Sequence, residues 1–269
     1  MFSLLFFVSL RSLPASVMAL VLACVSKQAL IACTKGKHYS ASLAQQHLPH
    51  SNHLVNHSGA ATTASRLGMP DLAIATLNDF VQSAQMVCSL SPSTPVIADA
   101  DTGFGGTAMV ARTVTQYARA GVAAMHIEDQ VQTKRCGHLM GKQVVSREEF
   151  ITRIRAAVIA RDSIPGGSDF VIIGRTDSAQ VLGMEEAVTR LKLAADAGAD
   201  VCFIEGVKTQ ELLESTVAAL APKPVLVNVI SGGLTPSFTC KEAEAMGAKI
   251  ISEFIVLALY RRSRNIVIP

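Results

Sequence analysis

The stretch PVIADAD (residues 95–101) is a short apolar run that ends in two carboxylates, and this pattern decides the fold. Runs of the same kind recur at VAAMHIED (122–129), DFVIIGRTD (169–177), ADVCFIEG (199–206), KPVLVNV (223–229) and AKIISEF (248–254). Between them lie stretches with apolar residues at every third or fourth position, such as TAMVARTVTQYARAG (107–121). Strands that are apolar on both faces lie in parallel sheets covered by helices. The alternation therefore predicts an α/β fold, either a (β/α)₈ barrel or a doubly wound sheet.

Polar side chains end nearly every predicted strand, and their distribution favours the barrel. They are Asp99 and Asp101, His126 with Glu128 and Asp129, Arg175 with Asp177, Glu205, and Asn228. A doubly wound sheet forms its site at one switch point, whereas a barrel collects residues from the carboxyl ends of many strands. Because several strands contribute in turn, the sequence predicts a (β/α)₈ TIM-type barrel with one shared site. The alternative is that these residues cap helices and bind loop backbone.

Charge and composition argue against several other classes of protein. Residues 71–269 hold all 21 acidic residues and are close to neutral, so they carry no basic stripe for nucleic acid. The absence of Trp and the scarcity of Tyr remove the usual stacking platforms for bases. The 6 cysteines are scattered without CxxC spacing, which indicates reduced thiols rather than disulfides or a zinc site. We expect a small-molecule partner and no nucleic acid.

The first part of the chain differs from the rest. Residues 1–33 are strongly apolar, and residues 1–70 contain no Asp or Glu. A secretory signal, a membrane anchor and a mitochondrial presequence each match part of this pattern. We expect a cytoplasmic or mitochondrial protein, with a signal or anchor as the alternative. The predicted division is an atypical apolar and histidine-rich segment, residues 1–52, followed by a catalytic barrel domain, residues 53–269.

The carboxylates after two neighbouring strands predict a metal site. Asp99 and Asp101 are two residues apart, so both side chains project to the same side of the strand, and Glu128 follows the next strand. Oxygen ligands without Cys or His suit a hard cation, Mg²⁺ or Mn²⁺, which keeps several waters. Arg175 can bind a substrate carboxylate through two hydrogen bonds. The predicted substrate is an anion that chelates the metal.

The stretch KRCGHLMGK (134–142) places a cysteine among basic residues. Lys134, Arg135 and His138 supply positive charge around Cys136, and such surroundings lower the pKa of a thiol and make it reactive. Gly137 lets the backbone approach a ligand closely. Beside a carboxylate substrate and a metal, the thiol can transfer a proton or attack carbon. A basic surface loop with an incidental cysteine is the alternative.

Several of these motifs together resemble the isocitrate lyase / phosphoenolpyruvate mutase superfamily. The resemblance rests on SGAATTASRLGMPDLAIATLNDF (58–80), PVIADADTGFGG (95–106), MHIEDQVQTKRCGH (125–138), IIGRTD (172–177) and FIEG (203–206). It implies a (β/α)₈ barrel and a homo-oligomer, a tetramer in the family. It also implies that Mg²⁺ binds at Asp99 and Asp101, with help from Asp71 and Glu128.

The resemblance also implies residues that bind and cleave the substrate. The backbone at Ser58, Gly59 and Ala60 and the side chain of Arg175 hold an α-keto acid group. The remaining substrate-binding residues are expected to be Gly137, Glu205, Asn228 and Ser237, and the catalytic residues Cys136, Glu128, Arg175 and His138. Cys136 matches the thiol that acts as acid/base in the C–C bond-cleaving members. Because the mutases lack this thiol, the resemblance favours a lyase or hydrolase over a mutase. The implied substrate is a small 2-hydroxy or 2-keto carboxylate such as methylisocitrate, dimethylmalate or oxaloacetate; the alternatives are a mutase-like isomerase and a non-catalytic remnant of the family.

The resemblance fails at both ends of the chain. Family members have a strand, a helix and a second strand ahead of the SGA turn, with a Tyr where this chain has Asn56. They also continue past the eighth strand into a helical region that packs across subunits. We therefore predict six clear strands and a weak seventh at LVNH (54–57), in an incomplete barrel that is open at its edge, with residues 1–50 packed irregularly and the whole chain poorly soluble.

Overall fold

A computed structural model describes residues 6–10, 52–137, 139–165, 168–230, 235–236 and 238–254 of this chain. The described residues form eight strands in one closed barrel, in which each strand pairs with its neighbours in chain order. The strands are β1 (Phe6–Leu10), β2 (Asn52–His57), β3 (Val96–Asp99), β4 (Ala124–Glu128), β5 (Val171–Thr176), β6 (Val201–Ile204), β7 (Val225–Ile230) and β8 (Ile250–Phe254). Strands β2 to β8 are parallel. The six predicted strands and the weak seventh are confirmed.

Helices follow most of these strands and form the outer layer. They are α1 (Gly59–Leu67), α2 (Leu77–Leu90), α3 (Thr107–Arg119), α4 (Arg147–Asp162), α5 (Met184–Asp196), α6 (Gln210–Leu220) and α7 (Cys240–Ala245), with a 3₁₀ turn at Ser178–Gln180. Five of these helices, α1, α2, α4, α6 and α7, begin at a Ser or Thr whose side chain accepts a bond from a free backbone N–H group, whereas α3 and α5 begin after a glycine. Thr76 with Asp79 forms a reciprocal capping box at α2, and Thr239 with Glu242 does so at α7. None of the described helices has the length and apolar character to cross a membrane.

Two apolar layers hold the barrel together. The inner one fills the barrel and consists of Leu54, Ile97, Ala124, Val171, Ile173, Val201, Phe203, Leu226 and Ile250. The outer one lies between strands and helices, where the outward residues Ala98, Met125 and Ile172 pack with buried helix residues such as Phe80 and Ile154. Because side chains alternate between the two faces of a strand, neighbouring residues enter different layers. This explains why the predicted strands are apolar throughout.

Strand β1 closes the barrel in a way that the sequence did not predict. It runs antiparallel to both neighbours, with Val8 opposite Leu54 of β2 and opposite Ser252 of β8. The prediction of an open edge is therefore wrong for the described structure, because backbone pairing supplied by Phe6–Leu10 joins β2 to β8. The described residues before β2 do not include the parallel strand and helix that begin a complete (β/α)₈ barrel. Most of the predicted N-terminal segment, and residues 255–269, lie outside the described residues.

Candidate active site

The polar residues predicted to share one site do lie at one end of the barrel. Along strands β3 to β7 every second side chain faces the inside of the barrel. The inward-facing side chains are apolar in the first part of each strand and polar at its carboxyl end. The polar ones are Asp99, His126, Glu128, Arg175, Glu205 and Asn228. Strand pairing aligns them, since Asp99 lies opposite His126 and Glu128 lies opposite Arg175. Sequence spacing therefore correctly predicted a ring of polar groups at the carboxyl ends of the strands.

Asp99 is held by backbone N–H groups on two sides. The N–H of Gly59, at the start of α1, donates to Asp99 Oδ2 at 3.0 Å, and the N–H of Asp101 donates to Oδ1 at 2.9 Å. His126 Nδ1 lies 3.5 Å from Oδ1. Burial alone would raise the pKa of Asp99, but its interactions with His126, Lys134 and Arg175 lower this pKa below its usual range. The carboxylate is therefore kept ionised and fixed in orientation.

Asp101 lies in a tight turn after β3 and shares a lysine with Asp71. Its backbone has φ 45°, a left-handed conformation that is uncommon for residues other than glycine and that turns the carboxylate towards the barrel mouth. Lys134 Nζ lies 2.6 Å from Asp101 Oδ1 and 2.6 Å from Asp71 Oδ1. Burial raises the pKa of Asp101 to about 7, and the charges of Asp99 and Asp71 add to this effect while Lys134 opposes it. A cation near these three carboxylates would favour their ionised forms.

The carboxylates at the barrel mouth fit a hydrated hard cation. Asp99, Asp101 and Glu128 bring buried carboxylate oxygens to this end of the barrel, where Asp101 Oδ1 lies 2.6 Å from Lys134 Nζ and Glu128 Oε2 lies 3.1 Å from Arg175 Nη2. A Cβ on Gly59 would come within 2.8 Å of Asp99 Oδ2 and 3.1 Å of Asp101 Oδ1, so glycine keeps the space between these oxygens open. Within the described ranges no three His, Cys, Asp or Glu side chains converge to hold a metal unaided. Mg²⁺ is commonly bound through one or two carboxylates and several waters, which suits this arrangement.

Arg175 lies at the centre of a second group of charged residues in the site. Its Nε donates to Asp177 Oδ2 at 3.0 Å, and its Nη2 lies 3.1 Å from Glu128 Oε2 and 3.6 Å from Glu205 Oε2. The guanidinium carbon also lies 5.2 Å from the centre of the Phe203 ring. Although burial lowers the pKa of an arginine, the surrounding carboxylates, above all Asp177, raise that of Arg175 well above its usual value. Arg175 is thus a permanent cation with a fixed orientation.

The loop that carries Cys136 is bound to the barrel at several points. An antiparallel bridge between Gln130 and Val144 closes its base. The Cys136 N–H donates to the Asp71 carbonyl at 3.1 Å. Lys142 Nζ donates to the Gly137 carbonyl at 2.6 Å and to Asp177 Oδ1 at 2.8 Å. These bonds place the partly buried thiol loop over the same end of the barrel as Arg175.

The basic residues of this loop have other partners than the sequence suggested. Lys134 was expected to surround Cys136 with positive charge, but its ammonium binds Asp71 and Asp101. Arg135 is exposed and donates to the Met140 carbonyl at 3.4 Å. His138 lies outside the described residues. The contacts of Lys134 thus place it with the acidic cluster, because a buried ammonium is stabilised by carboxylates.

The remaining predicted substrate-binding residues are also near this end. Ser58 caps α1, and its Oγ accepts from the Ala61 N–H at 3.3 Å, while Gly59 is buried and Ala60 half-buried. Asn228 Nδ2 donates to Glu205 Oε2 at 3.3 Å, which links β6 to β7. Ser237 lies outside the described residues. The substrate contacts predicted for these residues stay predictions.

Sequence reasoning missed two features of the site. Lys142 lies in the same nine-residue stretch as Cys136, but its spacing does not show that its ammonium turns inward. Asn56 Nδ2 donates to Ser252 Oγ at 2.9 Å inside the barrel, between two strands that lie far apart in the chain. The only signal for this pair was that both residues interrupt apolar strands, which does not identify their partners.

Comparison with known proteins agrees with the geometry. The family model described as phosphoenolpyruvate phosphomutase matches residues 28–264. This chain belongs to the isocitrate lyase / phosphoenolpyruvate mutase superfamily. The 2-methylisocitrate lyase of Salmonella typhimurium is 44% identical over 204 residues, which cover 76% of this chain and 65% of that protein. The 2,3-dimethylmalate lyase of Eubacterium barkeri is 40% identical over 193 residues, which cover 72% of this chain and 65% of that protein.

A solved structure extends the comparison within this superfamily. Oxaloacetate acetylhydrolase in complex with the inhibitor 3,3-difluorooxalacetate superposes with a TM-score of 0.74 and 51% identity, covering 77% of this chain and 70% of that one. Such a likeness confirms the TIM-type barrel. The present chain spans about 65% of the length of the two curated lyases named above.

Proposed function

We propose that this chain cleaves a carbon–carbon bond in a small 2-hydroxy or 2-keto di- or tricarboxylate, with Mg²⁺ or Mn²⁺ as cofactor. The products would be an α-keto acid or oxalate and a second carboxylic acid. One observation carries the proposal: the buried Asp99 and Asp101, the Arg175 cation and the Cys136 loop meet at the same end of one barrel. The names of the relatives, two lyases and a hydrolase, support the same class of reaction.

Arg175 would bind and orient one substrate carboxylate. Its guanidinium is permanently charged, buried and fixed by Asp177, so it offers a planar set of donors without a large cost in side-chain entropy. Glu205 and Asn228 lie beside it and would contact the rest of the substrate. A dicarboxylate suits this site better than a monoacid, because a cation bound by Asp99 and Asp101 and the Arg175 guanidinium would attract anionic groups at two separate places.

Asp99 and Asp101 would hold the cation, with help from Asp71 and Glu128. When bound there, the cation would stabilise negative charge that develops on the substrate oxygen. The two backbone N–H bonds to Asp99 orient its carboxylate, and Lys134 supplies positive charge to Asp101 and Asp71. The bound cation, together with Lys134, would offset the negative charge of these carboxylates and so favour an anionic substrate.

Cys136 would supply the proton that the departing carbon requires. The hydroxyl proton of the 2-hydroxy acid, or of the hydrate that water forms with a 2-keto acid, would pass to Glu128 as the carbon–carbon bond breaks. The electrons of that bond form a carbanion stabilised by its neighbouring carboxylate, and transfer of the Sγ proton to that carbon completes the second product.

A substrate screen tests the proposed reaction directly. The full chain would be incubated with Mg²⁺ and, separately, with methylisocitrate, dimethylmalate and oxaloacetate, and pyruvate and oxalate release would be measured. We expect one of these acids to be cleaved, and EDTA to abolish turnover. Conversion of phosphoenolpyruvate to phosphonopyruvate, with no cleavage of any diacid, would instead show a mutase. A well-folded chain that processes none of these compounds would contradict enzymatic function of this class.

Replacing Asp101 tests the metal site. Asp101→Ala should abolish Mg²⁺-dependent turnover and weaken Mg²⁺ binding measured by calorimetry. The melting temperature should stay within a few degrees of wild type, because loss of one buried carboxylate relieves repulsion and leaves Lys134 paired with Asp71. Asp162→Ala, which removes an exposed carboxylate at the end of α4, is the control. Normal Mg²⁺ binding by Asp101→Ala would remove this metal assignment.

A further inference from the structure

Lys142 is a buried cation that lies between the thiol loop and the substrate-binding arginine. Its side chain is 0% exposed, as is that of its carboxylate partner Asp177. Burial of a lysine ammonium is costly, so a lysine retained at such a position needs strong partners. Lys142 Nζ has two of them, the Gly137 carbonyl at 2.6 Å and Asp177 Oδ1 at 2.8 Å.

Both partners of Lys142 belong to parts of the site that must be placed relative to each other. Gly137 directly follows Cys136, so a hydrogen bond to the Gly137 carbonyl fixes the backbone next to the thiol. Asp177 holds Arg175 through Nε at 3.0 Å. One ammonium group therefore joins the backbone next to the thiol to the carboxylate that orients the guanidinium.

The packing around Gly137 shows how little freedom this junction has. A Cβ at this position would lie 2.5 Å from Arg175 Nη2 and 3.1 Å from Asp177 Oδ1. The loop backbone is thus pressed against the ion pair, and only glycine allows the approach. Gln180 adds a weaker bond from Nε2 to the same Gly137 carbonyl at 3.4 Å.

From this geometry we propose that Lys142 is a positioning residue that sets the distance between the Cys136 thiol and Arg175. This inference rests on the proposed function, since it assigns Lys142 to the reaction site without contact to substrate. Without the ammonium, the Gly137 carbonyl and Asp177 would face each other as two acceptors, and the loop would move away from β5. The thiol would then lie too far from a substrate carbon held by Arg175.

A matched pair of lysine variants separates positioning from general stability. Lys142→Met removes the charge while keeping the length of the side chain. Lys223→Met is the control, because Lys223 Nζ also donates to a backbone carbonyl, that of Ala199 at 2.7 Å, but just before β6 and β7 begin and so at the opposite end of the barrel. Lys142→Gln, which keeps a donor for the Gly137 carbonyl, is the second variant should the methionine prevent folding.

The first measurement is the rate at which iodoacetamide labels each cysteine, followed by peptide mass spectrometry without substrate. Cys136 should be labelled about tenfold faster in Lys142→Met than in wild type, the factor expected when a charge-assisted hydrogen bond is lost. Labelling of Cys88 in α2 should not change, and Lys223→Met should label like wild type at both cysteines. Rates at pH 7 and pH 9 distinguish exposure of the thiol from a change in its ionisation.

The second measurement is steady-state kinetics with the acid identified by the substrate screen. Lys142→Met should lower kcat about 100-fold, because a small displacement of a reacting group has an effect of this size, while KM changes less than about threefold. Lys142→Gln should give intermediate values for both labelling and kcat.

The outcomes distinguish this inference from the proposed function. Faster labelling of Cys136 alone supports the positioning role even if no substrate is ever found. Unchanged Cys136 labelling and unchanged kcat in a folded variant would overturn it. Equal increases at Cys136 and Cys88 would also overturn it, since they would show a general loss of stability.

Discussion

At the scale of single residues, the site is a buried network of opposite charges. Arg175 contacts three carboxylates, Lys134 binds Asp71 and Asp101, and Lys142 is a second cation on Asp177. Buried ion pairs contribute little net stability, but removing one member leaves an uncompensated charge. The network therefore fixes orientation more than it stabilises the fold, which is what substrate binding requires.

Cys136 provides the first prediction at this scale. Cys136→Ser should bind substrate normally but turn over about 10²- to 10⁴-fold more slowly, the usual contribution of a positioned proton donor. Steady-state kinetics would measure this. Cys88→Ser is the control, because Cys88 lies in α2 and burial raises the pKa of its thiol to about 11. Wild-type kinetics for Cys136→Ser together with a defect in Cys88→Ser would contradict the assignment.

His57 provides a prediction about pH. Burial lowers the pKa of His57 from 6.5 to about 4, although Asp99 opposes the shift. As the pH falls below about 6.5 the unfolded chain takes up a proton that folded His57 does not, so stability decreases towards pH 4 and then levels off. This group should lower the free energy of unfolding by roughly 2 kcal/mol between pH 7 and pH 5.

Urea unfolding at the two pH values would test the His57 contribution. His57→Gln keeps a polar group near Thr62 Oγ1. In this variant the free energy of unfolding should decrease less between pH 7 and pH 5 than in wild type, by the amount expected for His57. His126 has a similarly lowered pKa of about 4 and stays in both proteins, so some acid sensitivity should persist. If the free energy of unfolding falls between pH 7 and pH 5 by the same amount in His57→Gln as in wild type, His57 does not contribute to this pH dependence.

At the scale of elements, the start of α1 is part of the site. Gly59 is the first residue of this helix, and its N–H binds Asp99. An alanine normally stabilises a helix relative to glycine by about 0.5–1 kcal/mol. Here its Cβ would come within 2.8 Å of Asp99 Oδ2 and 3.0 Å of Phe80 Cζ. The local preference of the helix and the packing of the barrel mouth therefore oppose each other.

Gly59→Ala should consequently lower both the melting temperature and the affinity for Mg²⁺. The loss in affinity should be about 10- to 100-fold, as for other changes that misorient metal ligands. Calorimetric titration of the folded variant would measure it. Gly106→Ala at the start of α3 is the control, since a Cβ there meets no atom within 4 Å. Equal Mg²⁺ affinity in both variants would show that α1 does not position Asp99.

At the scale of the whole molecule, closure depends on one antiparallel strand. Parallel strands β2 to β8 would leave two edges with unpaired N–H and C=O groups, and such edges favour aggregation. Strand β1 pairs with β2 on one side and with β8 on the other. It completes the ring of backbone bonds without the crossover helix that a parallel strand would need.

A proline in β1 tests this closure. Val8→Pro removes an N–H from a strand that is paired on both sides, where proline is not tolerated. We expect the free energy of unfolding to fall by on the order of 1–3 kcal/mol and light scattering to rise on gentle heating. Val8→Ala keeps the N–H and serves as control. Identical urea midpoints for the two variants would show that β1 does not contribute to barrel stability.

The sequence by itself determined the parallel strands and the end of the barrel at which the site lies. Both follow from local periodicity, because the alternation of faces along β3 to β7 decides which side of the sheet Asp99, Glu128, Arg175 and Glu205 occupy. The acidic pair and the loop cysteine could also be identified from residue type and spacing. None of this required knowledge of which residues touch.

Only the tertiary structure decided which charges are partners. Lys134 binds Asp71 and Asp101 instead of surrounding the thiol. Lys142 binds both the nearby Gly137 carbonyl and Asp177, which lies 35 positions further along the chain. The closing role of Phe6–Leu10 was likewise invisible, since a five-residue segment with four apolar residues shows no preference for direction or neighbour. Such contacts depend on the paths of loops and on competition among many possible partners, and only burial in one compact barrel selects between them.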